Sequence, residues 1–189
     1  VDREGRLAAI VSGERMAFND YEERLVANIA EHGWFCVSVL GDASQPSFSY
    51  SVGFAETLNA PEFIVFGLPS ELMHAMLWEM FRKLEGGGSI PENGDRIAGV
   101  LEGYDCLTRE VHPENVVREY LNSAIWRWGD PALKGDPLKV RQLFWPDVTH
   151  GLFPWEGGCE PEVRAAQPLL YLPPKPKGLA SRISRLFRN

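Results

Sequence analysis

Gly33-Trp-Phe-Cys-Val-Ser-Val-Leu40, Phe48-Ser-Tyr-Ser-Val-Gly-Phe54 and Glu62-Phe-Ile-Val-Phe-Gly-Leu68 are three short apolar runs separated by turn residues, and their reading decides the fold. Runs of this length bounded by Gly, Pro, Asn and Asp read as strands. In the middle one, Phe48, Tyr50, Val52 and Phe54 share a face at period two, while Ser49, Ser51 and Gly53 share the other. One face is bulky; the other is small and hydroxylated. The flanking strands are apolar on both faces, as in a sheet covered on both sides. The small face is therefore expected to lie under something that approaches closely, either a packed helix or a ligand.

Outward from this core, the polar turn Gly41 to Pro46 and the connection Glu56 to Pro61 join the three strands into an antiparallel meander. Before it, Asp20 with Glu23 three residues on predicts a capped helix start, and Tyr21, Leu25, Val26 and Ile29 form its apolar stripe up to Gly33. After it, Pro69-Ser70-Glu71 opens a helix that Gly86-Gly87-Gly88 stops. Met73, Leu77, Met80, Phe81 and Leu84 are its buried stripe. His74, Trp78 and Arg82 recur on the other face at helical spacing, a candidate contact surface for a partner. Arg96 to Val111 reads as one or two strands broken near Gly103. His112-Pro113-Glu114 then opens a further helix toward Trp128, and Leu138 to Trp145 reads as a last strand. The expected fold is α+β, with an antiparallel, partly barrelled sheet of about five to seven strands and two main flanking helices. Residues 1–18 are expected as a lead-in, 19–172 as a single domain, and 173–189 as a proline-linked tail.

A chain of 189 residues buries a full core without disulfides or metal. Its three cysteines, Cys36, Cys106 and Cys159, are odd in number and widely spaced, which suits a reducing cytoplasm better than a disulfide framework. No stretch is apolar enough for a membrane span and the sequence does not open on a charged-then-apolar run, so a soluble, unexported protein is the expectation. The net charge is −7, yet Lys175 to Asn189 holds five basic residues and no acidic one. That acidic body argues against a general nucleic-acid binder. In the tail, Leu179, Ile183, Leu186 and Phe187 share a helical face among Arg182, Arg185 and Arg188, an amphipathic pattern that suits docking on an acidic surface of the body, a partner or a membrane.

His32-Gly-Trp34, the run Phe48 to Phe54, Pro61 to Leu68, Gln142-Leu-Phe-Trp-Pro-Asp147 and Gln167-Pro-Leu-Leu170 follow one another in an order that resembles the bacterial domain-of-unknown-function 4262 family. The likeness covers about Asp20 to Leu170. It implies a bacterial cytoplasmic protein and carries no activity and no catalytic residues. The family commonly has Thr where this chain has Ser51, which keeps the hydroxyl.

Chemistry-bearing constellations are sparse. His32, His74, His112 and His150 lie far apart, with no pair at metal-ligand spacing. Gly86-Gly-Gly88 lacks the Lys-Ser/Thr ending of a phosphate-binding loop, and Ser49 and Ser51 lie on no nucleophile elbow. Asp147 and His150, three apart in a turn-rich aromatic segment, are the candidate orienter and base of a catalytic pair. Asp-Pro turn chemistry explains Asp147 equally well. Ser49, Tyr50, Ser51 and Trp155 are the candidate ligand-binding residues, on the expectation of a pocket over the small face bordered by Pro146 to Trp155. No cofactor is specified. The expected function is a non-catalytic small-ligand-binding or protein-interaction module; the alternative is a hydrolytic or flavin-linked small-molecule enzyme centred on Tyr50, Ser51, Asp147 and His150.

Overall fold

The structure, a computed structural model, describes residues 18–129 and 137–174. The expected lead-in and tail therefore lie outside the described residues, apart from Phe18 and the two prolines at 173 and 174. The first helix, α1 (Asp20–His32), is capped one residue earlier than the sequence pattern suggests. Asn19 accepts the N–H groups of Tyr21 and Glu22, and the Glu22 carboxylate returns to the Asn19 N–H. Gly33 closes the helix at φ +83°, where its N–H reaches Ile29 O at 2.8 Å.

Strands β1 (Phe35–Val39), β2 (Phe48–Val52) and β3 (Glu62–Phe66) form the antiparallel meander that their turns predict. Between β2 and β3 the chain makes one short helical turn, α2 (Phe54–Thr57). Strands β4 (Arg96–Leu101) and β5 (Tyr104–Glu110) form a hairpin around Gly103. Strand β6 (Val140–Phe144) lies between the two units, parallel to β3 and antiparallel to β5, giving the order β1-β2-β3-β6-β5-β4. The sheet is thus mixed and open, where the sequence suggested an antiparallel, partly barrelled one. The reason is topological: β6 reaches β3 by a long crossover and runs alongside it in the same direction, while β1 and β4 end as separate edges.

Three helices flank the sheet, one more than expected. Helix α3 (Ser70–Glu85) covers one face and buries Met73, Met76, Leu77, Met80 and Phe81 against Trp34, Phe54, Phe63 and Val65. Each such side chain removed from water contributes roughly 1.5–3 kcal/mol. On the opposite face α1 and α4 (Arg118–Trp128) bring Leu25, Ile29, Leu121 and Ala124 onto Phe48, Tyr50, Ile64 and Phe66. His112-Pro113-Glu114 opens only a 3₁₀ turn over Pro113–Asn115. The Asn115 amide donates to Leu170 O and Leu172 O at 2.8 Å each and pins that turn to the returning chain, and α4 starts afresh at Arg118. A last short helix, α5 (Pro161–Ala166), packs beside the first core. Among the described residues no helix is long and apolar enough to cross a membrane.

Candidate functional site

The small face of β2 is covered by α3 and stitched to its neighbours by hydroxyls. Ser49 and Ser51 are fully buried, and the Ser38 and Ser49 hydroxyls lie 2.8 Å apart. Ladder pairing between β2 and β3 stops at Tyr50 and Ile64. Just beyond, the Ser51 hydroxyl accepts the Phe63 N–H at 2.9 Å and donates to the Glu62 carboxylate at 2.5 Å. The other carboxylate oxygen accepts the N–H groups of Gly53 at 2.9 Å and Ala55 at 3.1 Å, so Glu62 organises the start of α2 from inside the core. Gly53 sits at φ +111°, and a Cβ there would meet Gly33 O at 3.1 Å, which leaves glycine as the fitting residue. Burial pushes the Glu62 carboxyl above its ordinary value, and the donors at Ser51, Ala55 and Gly53 pull against that. Sequence reading took Glu62 for a strand end; its one cue was a lone acid directly after Pro61 at the head of an apolar run.

The other expected ligand residues are not gathered here. Tyr50 points to the opposite face, where its hydroxyl accepts the Ser123 N–H at 3.1 Å. Trp155 packs far along the sheet, edge-on to Phe144 at 5.0 Å and stacked on Phe153 at 5.4 Å. With Tyr171 it encloses the Arg109 guanidinium, whose Cζ lies 4.3 Å from the Trp155 ring and 4.7 Å from that of Tyr171. The space over Ser49 and Ser51 is occupied by α3, and the Pro146 to Trp155 segment does not border it.

Asp147 and His150 are brought together, but through the main chain. The fully buried Asp147 carboxylate accepts the His150 N–H at 2.5 Å, and Asp147 O accepts the Gly151 N–H at 3.0 Å. The half-exposed imidazole stands farther off, with Nδ1 3.7 Å from Asp147 and 3.9 Å from Glu160. Burial works to raise the Asp147 carboxyl, yet the His150 and Glu160 N–H groups and the imidazole hold it below its ordinary value. Cys159 lies beside this turn, and burial followed by the Asp147 charge pushes its thiol up, away from a reactive thiolate.

His74 and Trp78 do meet in a cleft. Trp34, only 4% exposed, stacks on the His74 ring at 5.6 Å and on Phe81 at 5.9 Å, and its centroid lies 6.0 Å from that of Trp78. Trp78 remains 40% exposed. Arg82 turns aside to Glu79 at 3.2 Å and does not join them. The rings form one wall of a groove of about 450 Å³, whose other wall is Asn28 and His32 of α1 and whose floor is Phe35, Cys36 and Ser38 of β1. Because α1 and α3 sit on opposite faces of the sheet, a groove touching both runs along the open edge of β1. The Cys36 thiol on that floor is pushed up to about 11 by burial, against the Ser38 and Ser49 hydroxyls, which disfavours the thiolate.

The two sheet edges differ sharply. Strand β4 begins with the exposed Arg96, contains Gly99 at φ +69° and shifts register between Ile97 and Leu101, the devices that keep an edge from pairing. Strand β1 has no charge, proline or bulge, and its register with β2 is unbroken from Phe35 to Val39. Among the described residues, nothing pairs with its outer side.

The sequence model described as Domain of unknown function (DUF4262) matches residues 28–160. The chain belongs to this family. In this DUF4262 member the match takes in the β1 edge, the α3 wall, Glu62 and the Asp147 turn. No curated protein and no solved structure matches the chain.

Proposed function

We propose that this protein is a non-catalytic interaction module that receives an extended segment of a partner protein as an added strand along β1. The observation that carries the reading is the unguarded edge of β1 lying at the floor of a groove walled by the exposed Trp78 and the His74 ring. Strand addition supplies affinity through main-chain hydrogen bonds and specificity through side-chain pockets beside the edge. Trp34, held rigid between His74 and Phe81, fixes the orientation of the wall before a partner arrives. The groove presents two imidazoles and one carboxylate, Glu71, so the segment that suits it is largely uncharged with an aromatic or branched apolar residue against Trp78. Three free thiols, Cys36, Cys106 and Cys159, fit a reducing compartment, and with the family resemblance they support a bacterial cytoplasmic setting.

The test is selection of peptides from a random display library, followed by amide hydrogen exchange of the complex. Selected peptides should alternate apolar and polar residues and slow the exchange of amides within Phe35–Val39. Trp78→Ala should weaken binding by about tenfold or more in a chain that still unfolds cooperatively, although the lost packing on Trp34 and Phe81 lowers the melting temperature somewhat. Protection confined to other segments would sink the reading, and concentration-dependent protection of β1 without peptide would replace the partner by a second copy of the chain.

A further inference from the structure

A second cavity, sharing no residue with the β1 groove, lies at the end of the sheet where β3 and β6 begin. It measures about 440 Å³, the size of a small organic molecule. Pro61, Ile90 and Trp128 contribute apolar wall, and Asn59, Lys139 and Arg141 contribute the polar groups. Asn59 takes φ +52°, a left-handed conformation that Asn tolerates, and so turns the loop before Pro61 around the cavity.

Charge is what distinguishes this place. The body is acidic, yet the residues lining the cavity include two cations and no carboxylate. Arg127 nearby pairs its guanidinium with Glu56 at 2.5 Å, although its Nε, like that of Arg109, is buried without an acceptor. Arg141 has no such partner: its Nη1 is buried with no hydrogen-bond acceptor, and neither it nor Lys139 forms an ion pair among the described residues. Glu110 stands opposite Arg141 in the β5–β6 register and does not pair with it. An unsatisfied buried donor, the more so on a charged group, is destabilising, and such groups persist where something else completes them. A guanidinium fork beside an ammonium matches the two oxygens of a carboxylate or phosphate.

We propose that this cavity binds a small organic anion, a carboxylate or phosphate carried on an apolar or aromatic body, with Arg141 and Lys139 holding the head group and the Trp128 and Ile90 wall receiving the body. The proposal stands apart from the strand-addition reading, because the two sites share no residue.

Calorimetric titration with benzoate, phenyl phosphate and inorganic phosphate tests it. At least one aromatic anion should bind, more weakly as salt is raised, and tighter than inorganic phosphate, which lacks the body. The stronger of benzoate and phenyl phosphate identifies the head group. Lys139→Met, at an exposed position, should weaken binding by about tenfold with the fold unchanged, and Arg141→Met should weaken it further. Trp78→Ala, in the other groove, should leave it untouched. Absence of binding by both aromatic anions overturns the proposal, as does binding that survives Lys139→Met undiminished in a folded protein.

Discussion

Glu62 is the residue on which the local structure turns. It is 2% exposed and holds a hydroxyl and two main-chain N–H groups. A glutamine retains one oxygen for Gly53 and Ala55 and offers its amide to the Ser51 oxygen. Glu62→Gln should therefore stay within about 1 kcal/mol of the parent, whereas Glu62→Leu strands all three donors and should lose about 2–4 kcal/mol, measured by denaturant unfolding. The pH dependence has a definite sign. Because burial raises the folded-state value, the folded chain favours the protonated form, and this contribution to stability is lost as pH rises from the ordinary glutamate value through the raised one. Glu62→Gln should flatten that slope; an unchanged pH profile would show that the carboxyl does not titrate as its burial requires.

At the scale of elements, α3 lies close over β2 because Ser49 and Ser51 leave it room. Ser49→Leu should push the helix outward and destabilise by about 1–3 kcal/mol, read as a lowered melting temperature. No change in melting temperature would mean that the contact yields without strain. The closeness of that approach was legible in the sequence, since Ser49, Ser51 and Gly53 announce a face without bulk, although whether a helix or a ligand filled it was not. Trp78 was legible too, as a large ring on an otherwise charged helix face. The parallel pairing of β3 with β6 was not, because period-two alternation tells which face a side chain takes and nothing about the direction of the neighbouring strand. The burial of Phe63, Ile64, Val65 and Phe66 alike was its only trace, a mark of a central strand covered on both faces. Glu62 and Arg141 escaped notice for a related reason: a lone charge at a strand end reads as solvated until the fold closes over it. Asp147 reads in the sequence as a turn residue or as half of a pair with His150; in the fold its carboxylate accepts the His150 N–H, while the imidazole stands 3.7 Å away.

For the molecule as a whole, β6 is the strand that joins two otherwise separate sheets. Among the described residues the β1-β2-β3 meander and the β4-β5 hairpin are joined by strand pairing only through it, and otherwise by the core they share under α3. A chain ending at residue 136 should lack a cooperative thermal transition and should aggregate, because β3 and β5 would each present an unpaired apolar edge. A sharp transition in that truncated chain would show that the meander and its helices fold alone. The same arrangement bears on how the protein is made. A polypeptide emerges from the ribosome N-terminus first, and most of its helices and both partial sheets are complete well before Val140 is added. Throughout that interval the nascent chain carries two sticky borders waiting for one late segment, so its yield in a cell should depend on how fast translation crosses residues 111–144 and on the holding chaperones present while it does.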